Sequence, residues 1–234
     1  MLTASEWSAF ELSLRVGVCA VAVSLPAAIP IAYLLARGAP AARWHAQAVR
    51  WLIQLGVDLP LVLPPVVTGY LLLVCLVPSG PVGGLLDRLF GVRLVFTWWA
   101  AAIASAVVSF PLLVRTIRLA FQGVDPRLEI AARGLGAGPI DSFFSVTLPL
   151  ARRGILAGAI LAFARCLGEF GATIMVLGGS EGRRTIPLAI YSLTNRPGGL
   201  ERSWRLVLLS VALACAALIA SELLERRQSL RESA

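Results

Sequence analysis

Lysine is absent from this 234-residue chain, and histidine occurs once, as His45. All 21 basic side chains are therefore arginines. One histidine, in a short loop between apolar runs, supports neither a His-based metal centre nor a Ser-His nucleophile arrangement. Without lysine there can be no GxxxxGK[ST] phosphate loop, so the chain cannot hydrolyse ATP by that route. The four cysteines (Cys19, Cys75, Cys166, Cys215) have no CxxC spacing and all fall inside apolar runs. They read as small core residues, not as disulfides or metal ligands. Charged residues make up only 15% of the chain. No catalytic residue, no metal site and no cofactor bound by this chain is expected, and enzyme chemistry finds no support.

What the chain does have is apolar sequence: 58% hydrophobic residues and a mean hydropathy of +0.81. Crossing ~30 Å of hydrocarbon takes about 20 residues of helix. Five runs are long enough, at about 10–35, 52–77, 97–121, 153–178 and 205–224. They leave too little polar sequence to cover a soluble core, so the chain is predicted to be an all-α, polytopic protein of the lipid bilayer. The first run is preceded by Glu6 with no basic segment, unlike a cleaved signal peptide. With the N-terminus outside, the inner segments hold Arg37, Arg43, Arg50, Arg115, Arg118, Arg127, Arg133, Arg152, Arg153, Arg226, Arg227 and Arg231. The outer segments hold Arg88, Arg93, Arg183, Arg184, Arg196 and Arg202. Twelve against six favours an external N-terminus and a cytoplasmic C-terminus. The net charge of +8 is accounted for by these loops and requires no nucleic-acid partner.

The segment at 123–150 is a polar, glycine-punctuated interruption that reads as two short amphipathic helices joined by a tight bend. Asp125 suits an N-cap and Pro126 the first helical position. Leu128, Ala131, Ala132 and Leu135 then form an apolar stripe at i, i+3, i+4, i+7. Gly134 and Gly136 can end that helix, and Gly138-Pro139 can start another. Ile140, Phe143, Phe144 and Thr147 repeat the spacing before Pro149, expected to break the run. Such a hairpin held outside the bilayer suits docking into another protein's groove.

Two of the spans carry features beyond a lipid anchor. The second holds Asp58, Pro60, Pro64, Pro65 and Gly69, and proline frees backbone groups that must face protein or water in a bilayer. A broken helix lining a pathway is expected, with a packing kink as the alternative. The fourth holds Arg165 and Glu169 at i, i+4 inside an apolar helix, where charges are costly and face the bundle interior. They read either as an ion pair locking the bundle or as a pathway pair in which Arg165 offers positive potential to an anion. Between the last two spans, TIPLAIYSL is too short to cross. It reads as a helix at the external mouth, an interfacial cover or a docking place.

The 123–150 segment resembles the EAA loop of ABC-importer permeases. Ala131, Ala132, Gly136, Leu148 and Pro149 match that pattern position by position. Ile130 stands where the glutamate is usual, and Glu129 lies one residue earlier. LGEFGAT followed by TIPLAIYSL, with LPLVLPPVVTGYLLL in the second span, is similar to molybdate permeases, and the resemblance extends over about residues 7–225. It implies a single transmembrane domain over residues 1–234 with a five-helix importer core at about 10–225. It implies ATPase-coupling roles for Glu129, Ala131, Ala132, Gly136, Leu148 and Pro149, and leaves Arg165, Glu169, Pro64 and Pro65 as pathway candidates. It further implies a homodimer in a bacterial cytoplasmic membrane, a separate ATPase subunit that binds ATP and Mg, and a periplasmic molybdate-binding protein. A permease for a related oxyanion, sulfate or tungstate, and a membrane scaffold without transport are the alternatives.

Overall fold

The computed structural model describes residues 3–37, 44–178 and 184–232. Arg43 and Arg183 lie outside the described residues, as do the side chains of Arg226, Arg227 and Arg231. The described residues form helices and turns, with no strand among them. In chain order the helices are α1 (Ala4–Ala36), α2 (Trp44–Val62), α3 (Pro65–Leu76), α4 (Pro81–Phe90), α5 (Trp98–Gln122) and α6 (Pro126–Gly134). They continue with α7 (Pro139–Ser142), α8 (Leu148–Leu167), α9 (Gly171–Leu177), α10 (Ile186–Thr194) and α11 (Leu200–Glu232).

Five stretches among the described residues are long and apolar enough to span: Ala4–Ala36, Pro65–Phe90, Trp98–Gln122, Pro139–Leu167 and Leu200–Leu223. The first starts earlier than its apolar run because a capping box sets its end. Thr3 Oγ1 accepts from Glu6 N at 3.3 Å, and the Glu6 carboxylate accepts from Thr3 N at 2.6 Å. This satisfies two amides that a helix start leaves bare.

The expected second and fourth spans are both corrected. The run at 52–77 is two helices, because α2 ends at Val62 and α3 begins at Pro65 with Pro64 as its extended N-cap. Pro65 needs no amide partner at a first helical position, so a new helix starts where the old one must stop. The spanning stretch is α3 with α4. The more polar α2 carries Arg50, Gln54 and Asp58 and lies outside the five. The run at 153–178 is displaced the other way. Its long helix begins at Pro139, ends at Leu167 and is followed by α9 after a break at 168–170. Pro149 breaks nothing: α7 passes into α8 through a π-helical turn, Phe143–Thr147. Pro149, lacking an amide hydrogen, falls in the first turn of α8.

The interior is packed through small residues, as suits a bilayer in which apolar contact alone does not drive helices together. Ala28, Ala32, Ala100, Ala101, Ala104 and Ala162 are fully buried. A β-carbon on Gly154 would lie 2.4 Å from that of Ala120, and one on Gly17 2.8 Å from the Phe163 ring. Larger apolar groups (Leu113, Ile117, Phe121) fill the space between α1, α5 and α8. Outward-facing Val18, Val23, Leu71, Val74, Val211, Leu218 and Ile219 are exposed, the surface a bilayer would cover. Of the cysteines, Cys166 is buried as expected, but Cys215 is exposed on α11 and is not a core residue.

Candidate coupling and translocation site

The hairpin forms as the local sequence dictates, and its two faces are treated differently. Asp125 Oδ1 accepts from Arg127 N at 2.9 Å, capping α6. The helix closes at Gly134, and Gly136 takes φ of +98°, a conformation glycine adopts without the steric cost other residues carry. Leu128, Ile130 and Leu135 remain exposed, Leu135 by 92%. Ala131 and Gly136 are exposed beside them and Ala132 is half-buried. Ile140 and Phe144 are exposed as well. The second stripe is split, however. Phe143 packs into the core, where its ring lies edge-on to Tyr33 at 4.8 Å, and Thr147 is fully buried. Leu148 and Pro149 belong to the start of α8, and Leu148 packs onto the core.

Glu129 points the other way, into the protein, and is 8% exposed. Its Oε1 accepts from Arg37 Nε at 3.1 Å, from Arg37 Nη2 at 2.5 Å and from Thr147 Oγ1 at 2.6 Å. Its Oε2 accepts from Tyr33 Oη at 3.2 Å. The remaining arm of Arg37 donates to the Val124 carbonyl at 3.1 Å. Burial pushes the Glu129 carboxyl up, but the Thr147 hydroxyl and the Arg37 guanidinium, with Tyr33, outweigh it and hold it below its ordinary value. It therefore sits ionised at neutral pH. One carboxylate thus ties α6 to the end of α1 and to the π-helical turn.

Deeper in the molecule the two helix breaks lie side by side. A β-carbon on Gly171, at the start of α9, would lie 2.8 Å from Pro65 Cβ and 3.2 Å from Val66 N. One on Gly69 would lie 2.7 Å from the Cα and carbonyl oxygen of Ala172. Two backbones can approach this closely only where one of them presents a glycine at the contact. Glu169 sits in the second break, 2% exposed. It accepts from Ala172 N at 2.9 Å and pairs with Arg165 at 2.7 Å. It is thus not inside a helix, as its spacing suggested: α8 ends at Leu167, and the carboxylate caps the helix that follows. Arg165 is the accessible member, with 35% of its side chain exposed. Beside the first break, the buried Thr68 hydroxyl has no hydrogen-bond partner.

Pro65 and the Glu169 break are therefore brought together, with Pro64 capping α3 beside them. The residues expected to couple gather elsewhere, near the ends of α1 and α5. Sequence reasoning missed Arg37, Tyr33 and Thr147. Arg37 entered only as a loop charge, and nothing in local periodicity pairs it with a residue 92 positions on. It also missed Asp58–Arg115 at 2.9 Å and Arg118–Gln54 at 2.7 Å, which join α2 to α5. The TIPLAIYSL helix is present as α10, but Ile186 and Leu188 are buried. Ile186 N donates to Ser13 Oγ of α1 at 2.8 Å, so α10 is built into the bundle.

A helical bundle with five stretches long enough to span, an exposed apolar hairpin and paired helix breaks is consistent with a membrane permease. Residues 28–230 match the family described as "Binding-protein-dependent transport system inner membrane component", and the chain belongs to it. It is 50% identical over 227 residues to the "Molybdenum transport system permease protein ModB" of Escherichia coli, covering 97% of this chain and 96% of that protein. The protein of the same name from Haemophilus influenzae is 47% identical over 223 residues, covering 95% and 94%. Among solved structures, a bacterial alginate ABC transporter in complex with a pentasaccharide-bound periplasmic protein superposes with a TM-score of 0.69 at 16% identity, covering 96% of this chain and 80% of that one. An amino acid ABC transporter gives 0.64 at 20% identity, covering 95% and 93%. These last two speak for the fold alone.

Proposed function

We propose that this chain is the permease subunit of an ATP-driven importer that moves molybdate into the cytoplasm. The single observation that carries the reading is 50% identity over nearly the whole length to a molybdenum permease, on a fold with an uncovered apolar hairpin at one end. It works as a homodimer in the cytoplasmic membrane, N-terminus periplasmic and C-terminus cytoplasmic. A separate ATPase subunit, which holds ATP and Mg, docks on the stripe of Leu128, Ala131, Ala132 and Leu135. A periplasmic molybdate-binding protein delivers the anion at the opposite end.

The geometry supports a specific transmission route. Movement of α6 is passed through Glu129 to Arg37 and Tyr33, and so to α1. It also reaches Thr147 in the π-helical turn. A π-helical turn departs from regular i→i+4 bonding and is frequent at functional sites. From there α8 runs unbroken to Leu167 and ends at the break that holds Glu169, where Gly171 meets Pro65. Displacement at the hairpin thereby reaches the helix breaks, where Arg165 offers partial positive potential to a passing dianion and Glu169 moderates it. An importer needs a weak site at this point, since tight binding would prevent release.

Binding-protein-coupled uptake of radiolabelled molybdate into proteoliposomes tests substrate identity. Unlabelled molybdate should compete and excess sulfate should not. Sulfate competing as well as molybdate would assign the permease to a broader oxyanion importer.

A further inference from the structure

We propose that the pocket between the end of α1 and the start of α2 is a binding site for the headgroup of an anionic phospholipid. It has a volume of about 490 Å³ and is lined among others by Leu34, Arg37, His45, Ala46, Val49 and Arg50, with no carboxylate among the described residues of its lining. Arg37 is already neutralised by Glu129. Arg50 is different. Its Nη2 donates to the Leu35 carbonyl at 3.0 Å and its Nη1 to the Arg37 carbonyl. Carbonyl dipoles orient a guanidinium without cancelling its charge, so Arg50 presents net positive potential to the pocket, with His45 beside it.

The surroundings select a lipid over a free anion or a protein. Trp44 lies against the His45 ring, tilted by 34° with centroids 3.4 Å apart, and is 68% exposed, and Trp51 is 65% exposed. Exposed indoles mark the level of the headgroups. On the same faces of α1 and α2 an apolar groove of about 480 Å³ follows, lined among others by Val23, Ala27, Ile31, Ile53, Gly56 and Pro60. A phosphate seated on Arg50 would thus have its acyl chains directed along apolar surface, and basic pockets between helices bind such headgroups. Arg50 also grips the last carbonyls of α1, next to the residue that holds Glu129. Bound lipid would therefore brace the transmission route. This consequence, though not the binding site, rests on the functional reading above.

The test uses the purified, delipidated full-length permease, with phosphatidylglycerol and phosphatidylcholine titrated separately and binding read by native mass spectrometry. Phosphatidylglycerol should be retained in preference to phosphatidylcholine. Arg50→Gln should weaken its retention about five-fold, from about 1 kcal/mol per basic residue. Because Arg50→Gln also removes carbonyl contacts, Ala46→Glu serves as the second variant. It places an opposing charge in the pocket while leaving those contacts in place, and should weaken retention at least as much. Equal retention of the two lipids, unchanged retention by Ala46→Glu, or displacement of the lipid by millimolar inorganic phosphate would each overturn the proposal. Binding in detergent does not depend on orientation or transport, so it succeeds or fails independently of the functional reading.

Discussion

Replacing Glu129 by glutamine should uncouple the hairpin from the bundle without undocking the ATPase. The substitution removes the charge that receives two Arg37 nitrogens, Thr147 and Tyr33. Breaking a buried ion pair by removing one partner costs about 3–5 kcal/mol. Arg37 keeps the Val124 carbonyl and 20% of its side chain exposed, and glutamine can still accept one bond, so about 2–3 kcal/mol is the expected loss. Purified Glu129→Gln should unfold at lower temperature, still co-purify with the ATPase and import poorly. Arg37→Gln should behave alike, and the double variant should lose less than the sum, since neither charge is then stranded. The pH dependence follows from the depressed carboxyl of Glu129. A carboxylate whose folded value lies below its unfolded one stabilises fully above the unfolded value. That contribution fades as pH falls through the folded one, on the acid side of about pH 4.3. The wild type should therefore lose more stability on acidification than Glu129→Gln. Full uptake by an equally stable Glu129→Gln protein, or loss of the ATPase with it, would refute the strut.

Leu135→Asp, at a site 92% exposed, should leave permease stability unchanged and abolish co-purification of the ATPase. Gly136→Val should do the same at an added cost of about 1–3 kcal/mol for a branched residue at φ of +98°. Gly171→Val must push Pro65 and Val66 aside. It should lower the unfolding temperature and stop uptake while the ATPase remains bound. Arg165→Gln should slow molybdate flux and also cost stability, because it strands the buried Glu169, whereas Glu169→Gln, by weakening the cap on α9, should destabilise while preserving flux. Equal effects of the two on both readouts would remove the distinction drawn between them.

The spans of α1, α5 and α11 were legible because an unbroken apolar run of the right length has one solution in a bilayer. The cap of α6 and the turn at Gly136 were legible because Asp-Pro and Gly-x-Gly act locally. The second and fourth spans were not, because hydropathy registers apolar residues and not where a helix must restart. The prolines at 64 and 65 divided one run, and a π-helical turn carried the other helix past Pro149. The burial of Glu129 was hidden for a different reason. Its partners Tyr33 and Arg37 are more than ninety residues away, and only the packing of α1 against α5 and α8 brings them within reach. The Arg165–Glu169 pair was visible from spacing, but its role as the cap of α9 required knowing that Gly168 ends the helix.

The most direct measurement is transport by the reconstituted assembly: permease, its ATPase and its oxyanion-binding protein in proteoliposomes, followed with labelled molybdate. The expected result is accumulation that requires ATP, requires the binding protein, and vanishes when Leu135→Asp permease replaces the wild type. Molybdate accumulation that persists without the ATPase, or an intact complex that hydrolyses ATP with loaded binding protein present yet moves no molybdate, would contradict it.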